Sequence, residues 1–297
     1  EMEDNLVLAQ PEKLNQARTV AYLLLFLTAF GWSLSTVLCK VCIGTISAAH
    51  ILMVRAVVAA VVIFLAAPRK ILSTDKAHLK SGLALGLIVF CAYFLGVLCL
   101  KYTTASKAGF LMSFNVLLVP AAEAVIKRRL PSKWIVISVG ISLIGLQFIS
   151  GMNGTGFNLG DLLATLGAAA YTAYTIALDR WGKNKDDFVL AFMQLVGLGL
   201  CSFLAVFLFE GINLPGIRMS LLPLLVMGFF GMALPTLFQT KAQKTASTES
   251  VGIILLADPL FTLAMAYLFL HEPIFFSGLL GGGLILVACI IAIIKKI

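Results

Sequence analysis

Charge is what this sequence has least of. Only 12% of its 297 residues are Asp, Glu, Lys or Arg, about half of the roughly 25% that a soluble domain keeps to cover its surface. With 60% of the residues hydrophobic and a mean hydropathy of +1.02, an ordinary water-soluble fold is excluded, and the outer surface has to face lipid. Long polar stretches are also missing, which leaves no room for a separate soluble domain of about 50 residues or more. Histidine is nearly absent. The three present (50, 78 and 271) lie near the ends of apolar runs or in loops. No H-E-x-x-H, no G-x-S-x-G and no glycine-rich phosphate loop occurs, so a zinc protease, a serine hydrolase and a nucleotide-driven pump have no chemistry to work with. The six cysteines (39, 42, 91, 99, 201 and 289) sit within or beside apolar runs. They read as small packing residues. Cys39-x-x-Cys42 has no second pair and no adjacent histidine, so neither metal nor disulfide is indicated. No cofactor is expected.

What is present is a series of long apolar runs. Ten segments, near 19–42, 46–67, 81–100, 106–126, 134–151, 160–178, 188–209, 219–239, 250–270 and 274–294, each reach the ~20 residues that cross a ~30 Å hydrocarbon core. The polar stretch 1–18 lacks the apolar core of a signal peptide and is set aside as a processed or engineered end. The formal net charge of +8 suggests nucleic acid or anionic lipid until its positions are read. Leaving Arg55 aside, 17 Lys and Arg flank the ten segments on the side of both termini and only 4 on the other. The positive-inside rule puts both termini in the cytoplasm, and the basic excess needs no nucleic-acid partner.

The two halves repeat one another. "KYTTASKAG" (101–109) and "KAQKTASTESVG" (241–252) share Thr-Ala-Ser and end at a glycine, which sets Asn115 opposite Asp258. "VGISLIGL" (139–146) parallels "GGLILVAC" (282–289). At a slightly different offset Trp32 matches Tyr171, Ser35 matches Tyr174 and Arg55 matches Gln194. Five segments per unit is an odd number, so the second unit enters the membrane inverted. Many secondary transporters build two alternative gates around one site in this way. The expected fold is therefore all-α, with ten transmembrane helices as two inverted five-helix repeats, 19–151 and 160–295.

The stretches "AFGWSLSTVLCK" (29–40), "LMVRAVVAA" (52–60), "LCLKYTTASKAGFLMSFNVLLVP" (98–120) and "FQTKAQKTASTESVGIILLADPLFTLAMAYLFLHEP" (238–273) resemble the drug/metabolite transporter superfamily, specifically its ten-helix permeases with two EamA-type repeats. The similarity runs over about residues 19–295. It implies a multi-pass protein of a bacterial inner membrane that exports or takes up amino acids and related metabolites. Where members of that family often carry Glu-Pro in the ninth helix, this chain has Asp258-Pro259.

An ionisable group inside the bilayer costs about 2.5–3.5 kcal/mol at mid-helix and marks a functional site by default. Asp258, Asn115 and Arg55 each lie about nine residues into their segments, roughly 13 Å deep at 1.5 Å per residue. Three polar groups at one level fit a central water-accessible cavity. Asp258 is expected to contact a cationic or amino group of the substrate, or to carry a coupling proton; the alternative is a structural pair with Arg55 or Thr262. Arg55 suits a substrate contact or an architectural anchor, since the resembling permeases often carry arginine there. Trp32, Tyr93, Tyr171 and Tyr174 lie well inside their segments as candidate cavity walls, a lining that suits amino acids or organic cations. Glu123, Gln239 and Pro259 are candidates for a gate or for coupling, with solvated helix ends as the alternative for Glu123 and Gln239. Prolines 120, 235 and 259 can bend helices 4, 8 and 9, and Gly82-x-x-x-Gly86 and Gly278-x-x-x-Gly282 can bring helices close. The expected partners are a small-molecule substrate, the lipid bilayer and protons as a candidate coupling ion, with the chain a monomer or homodimer. The competing readings are an intramembrane enzyme pairing Asp258 with Glu123, and a passive channel or facilitator.

Overall fold

The computed structural model describes residues 2–73, 76–128, 130, 132–150, 158–271 and 276–294. The junction between the expected repeats (151–157) lies outside them. The described residues are helical, without strands. In chain order the helices are α1 (Met2–Cys42), α2 (Ala48–Ala66), α3 (Pro68–Leu72), α4 (Lys76–Cys99), α5 (Ala105–Met112), α6 (Asn115–Lys127), α7 (Lys133–Ser150), α8 (Leu159–Gly182), α9 (Asp187–Phe209), α10 (Leu214–Met219) and α11 (Leu221–Gly228). A π-helical turn (Phe229–Ala233) follows, then α12 (Leu234–Ala242), α13 (Thr248–Ile254), α14 (Ala257–Leu270) and α15 (Phe276–Ile294).

Seven stretches among the described residues are long and apolar enough to cross a membrane: Gln16–Cys42, Ala48–Ala66, Leu79–Cys99, Leu159–Gly182, Asp187–Phe209, Leu221–Ala242 and Ser250–Leu270. The other three expected segments are helical but interrupted or shorter. Segment 106–126 is the broken pair α5–α6, and 134–151 and 274–294 correspond to α7 and α15. Large apolar side chains such as Leu23, Val61, Phe207 and Leu268 point outward, each more than half exposed. In water such a surface would aggregate; in a bilayer it meets acyl chains.

Local chemistry sets the helix ends. Ser47 caps α2 by accepting from the His50 amide, and Asn158 and Asp161 form a reciprocal capping box at the start of α8. Asp186 caps α9, accepting from Phe188 and Val189 amides and from Lys70 Nζ at 2.9 Å. Partial burial pushes its carboxyl up, but the Lys70 hydrogen bond and charge and the two amides outweigh this and hold it below the ordinary range. At the far end of α4 the last carbonyls would be orphans; Lys40 donates to Leu100 O at 2.7 Å and to Thr103 O at 2.6 Å.

Helices 4 and 9 of the sequence reading are each split near the middle, α5 from α6 at Ser113–Phe114 and α13 from α14 at Leu255–Leu256. Short i→i+3 bonds carry the chain across both breaks: Phe114 N to Leu111 O and Val116 N to Ser113 O in one, Leu256 N to Ile253 O and Asp258 N to Leu255 O in the other. Pro259 is then the third residue of a new helix. The amides of that first turn have no intrahelical partner, so a proline there removes nothing. Pro235, the second residue of α12, likewise follows the π turn, in which Leu234 N reaches back to Phe229 O.

α1 packs on α12 and α14, α2 on α9, α4 on α8 and α9, and α7 on α15. Two crossings need glycine. A Cβ on Gly86 would stand 2.5 Å from Gln194 O and one on Gly82 2.2 Å from Met193 Cβ, so α4 and α9 touch backbone to backbone within one chain. At the π turn a Cβ on Gly31 would meet Phe230 O at 2.3 Å.

Candidate functional site

Three helices turn one face inward, with residues at helical spacing. α1 presents Trp32, Ser35, Thr36 and Cys39; α4 presents Tyr93, Gly96 and Val97, with Leu100 just past its end; α5 ends in Met112, with Ser113 next. With Arg55 from α2, Asn115 from α6, Tyr171 from α8 and Asp258 from α14 they line a cavity of ≈ 110 Å³, enough for several waters. Six of the ten residues singled out in the sequence therefore share one cavity: Asp258, Asn115, Arg55, Trp32, Tyr93 and Tyr171.

The two helix breaks position its polar ends. Asn115 opens α6 and Asp258 lies in the first turn of α14. The positive end of the helix dipole favours a carboxylate in that turn, which helps so apolar a helix keep one. Ser33 Oγ donates to Asp258 Oδ1 at 2.6 Å and Thr262 Oγ1 donates to the same oxygen at 3.1 Å. Both donors converge on Oδ1, and the carboxylate still borders the cavity. The pairing with Thr262 is present; one with Arg55 is not. Arg55, 5% exposed, donates from Nη1 to Cys39 Sγ at 3.2 Å instead.

The aromatic wall is continuous. Trp32 stands edge-on to Tyr93 (centroids 6.4 Å apart) and to Tyr171 (5.4 Å), and Tyr171 leans on Tyr174 at 5.6 Å. Tyr174 does not line the cavity. It is buried behind Tyr171 and donates to Gln194 Oε1 at 2.6 Å, while Gln194 Nε2 reaches Thr240 Oγ1 at 3.4 Å. Gln239 is fully buried rather than a solvated helix end and donates from Nε2 to the Tyr171 hydroxyl at 2.6 Å. Glu123, in α6, is 2% exposed and outside the cavity lining, as is Pro259.

Ser33, Cys39 and Gln194 are site residues that the sequence reading did not single out as such. A serine or glutamine in an apolar helix is the available signal; the partner of Ser33 lies 225 residues along the chain, and those of Cys39 and Gln194 lie on neighbouring helices 16 and 20 residues away. Outside the cavity lining, Lys107 Nζ meets Asp161 Oδ2 at 2.8 Å, with side chains only 12% and 2% exposed.

Residues 19–151 and 158–294 each match the EamA-like transporter family. The chain belongs to that family. An uncharacterized transporter of Archaeoglobus fulgidus is 27% identical to this EamA-like protein over 217 residues, 73% of this chain and 69% of the relative. A protein of known crystal structure superposes with a TM-score of 0.74 at 19% identity, over 93% of this chain and 96% of that one; the likeness at that identity is one of fold. The EamA-like protein is thus a multi-pass membrane transporter. Among its described residues no group of three or more His, Cys, Asp or Glu is placed to hold a metal.

Proposed function

We propose that this EamA-like transporter is a secondary carrier that moves a small amine-bearing metabolite, an amino acid in the first instance, across a bacterial inner membrane by alternating access, in the direction of export. The observation that carries the proposal is the Asp258 carboxylate at the head of a broken helix, facing a cavity walled by Trp32, Tyr93 and Tyr171. A carboxylate beside aromatic faces attracts an ammonium by charge and by the ring quadrupoles together. Protons are the proposed coupling ion, with Asp258 the group that takes substrate and proton in turn.

The ten-helix inverted-repeat architecture belongs to this proposal. It is supported by matching breaks in α5–α6 and α13–α14, by the reciprocal packing of α2 on α9 and of α7 on α15, and by the two successive matches of one family. The charge distribution supports cytoplasmic termini. An intramembrane enzyme built on Asp258 and Glu123 loses support because Glu123 does not border the cavity.

The test is a ligand screen by thermal unfolding of purified protein, wild type beside Asp258→Asn, with amino acids, polyamines, quaternary amines, sugars and nucleosides. Asparagine keeps an oxygen for Ser33 and Thr262, so the variant is expected to fold. Saturable binding stabilises by RT ln(1 + [L]/Kd). One amine-bearing class should stabilise the wild type and not the variant. Stabilisation by sugars or nucleosides alone, equal in both proteins, refutes the amine reading. Flux that does not saturate in proteoliposomes identifies a channel.

A further inference from the structure

Arg55 is left unexplained by an amine site. A guanidinium has donors only, and its burial in the middle of a membrane protein demands an anion or strong acceptors. The protein supplies neither in full. Nη1 has only a weak acceptor, the Cys39 thiol sulfur, and the buried Nε has no partner. Asp258 engages Ser33 and Thr262, and no ion pair joins Arg55 to a carboxylate among the described residues. Trp32 Nε1 is a second buried donor in the same cavity lining, beside Tyr93 but without a partner at full hydrogen-bonding geometry. The cavity thus has surplus donors on its α1–α2 side and a carboxylate on its α14 side.

The other half of the chain shows that the charge is not needed for packing. The position matching Arg55 is Gln194, which ties its helix to the preceding one through Tyr174 with no charge at all. Arg55 makes the corresponding tie, from α2 to Cys39 of α1, with a cation.

We infer that the substrate brings a carboxylate, received by Arg55 and Trp32 Nε1, and that the transported species is a zwitterion with its ammonium at Asp258. This rests on the proposed transport function and narrows it: a simple amine lacks the anion that Arg55 requires, and a neutral ester offers only weak acceptors. A site built around unpaired charged donors rejects a ligand that leaves them unpaired by roughly 100-fold or more.

The experiment measures binding to the purified protein of the twenty protein amino acids beside the polyamines and quaternary amines of the screen above. For the best binder it adds the methyl ester, the decarboxylated amine and the deaminated acid. Wild type is compared with Arg55→Gln, Arg55→Lys and Asp258→Asn. Expected are a loss of about 100-fold from amino acid to ester or amine in the wild type, disappearance of that gap in Arg55→Gln, and partial retention in Arg55→Lys. Equal wild-type affinity for amino acid, ester and amine overturns the inference, as does equal weakening of every ligand by Arg55→Gln. Simple amines binding through Asp258 while no amino acid binds leaves the proposed function standing and removes this inference. A deaminated acid that binds through Arg55 and ignores Asp258 keeps the carboxylate subsite and removes the ammonium site. Binding of nothing in the panel overturns both. Should Arg55→Gln fail to fold, the ligand series on the wild type decides alone.

Discussion

At the scale of residues, the cavity depends on polar groups that hold one another behind its wall. Tyr171 shows this. Its ring closes the cavity against Trp32, and its hydroxyl accepts from Gln239 Nε2 at 2.6 Å in a fully buried place. Removing one member of a buried pair costs the desolvation of the other, roughly 1–3 kcal/mol. Tyr171→Phe should therefore lower the unfolding midpoint in detergent, and Tyr171→Phe with Gln239→Leu should recover part of the loss, because no polar atom of the pair is then stranded. Losses that simply add would show that the hydroxyl and the amide act independently. Asp258 was legible as a site residue because a carboxylate in an apolar run has no cheap explanation. Ser33 was not, since serine in a membrane helix ordinarily bonds to its own backbone, and Ser33 Oγ does lie 2.9 Å from Ala29 O. Only the neighbouring helix reveals its second role.

At the scale of elements, close approach and interruption do the positioning. α4 and α9 meet where Gly86 faces Gly197, and a side chain at residue 86 would collide with main chain, 2.5 Å from Gln194 O and 2.7 Å from Gly197 Cα. Gly86→Val should cost about 1–3 kcal/mol or more and displace Gln194, the partner of Tyr174. Gly140, in α7, has nothing within 4 Å of where a Cβ would be. Gly140→Ala should be neutral or add up to about 1 kcal/mol through helix propensity. Unfolding midpoints of the two variants in one detergent check the contrast, and equal effects would mean that the α4–α9 crossing is loose. The helix breaks were half legible. Pro259 announces a disturbance in its run, but no proline marks Ser113–Phe114 and the break occurs there all the same. A chain of apolar residues carries no mark of where its i→i+4 ladder is abandoned, because the gain lies in what Asn115 and Asp258 then face.

At the scale of the whole molecule, the buried pair Lys107–Asp161 joins α5 of the first family match to α8 of the second, at 2.8 Å. Breaking a buried pair strands a charge, at about 3–5 kcal/mol, whereas removing both partners is far milder. Lys107→Met should destabilise strongly, and Lys107→Met with Asp161→Asn much less, by thermal unfolding; asparagine preserves the helix cap at residue 161. A double variant no better than the single one would assign the loss to packing of the lysine stem. The membrane-embedded, all-helical character, the basic asymmetry and the doubling of the chain were determined by the sequence alone, since hydropathy, charge placement and self-similarity are properties summed over many residues and survive any local error. What only the tertiary structure decided is pairwise. It brought residues 32, 55, 93, 115, 171 and 258 around one space, withheld Arg55 from Asp258, and placed Tyr174, Gln239 and Glu123 outside the lining. Such choices turn on differences of an ångström between helices whose order along the chain says nothing about which of their faces meet.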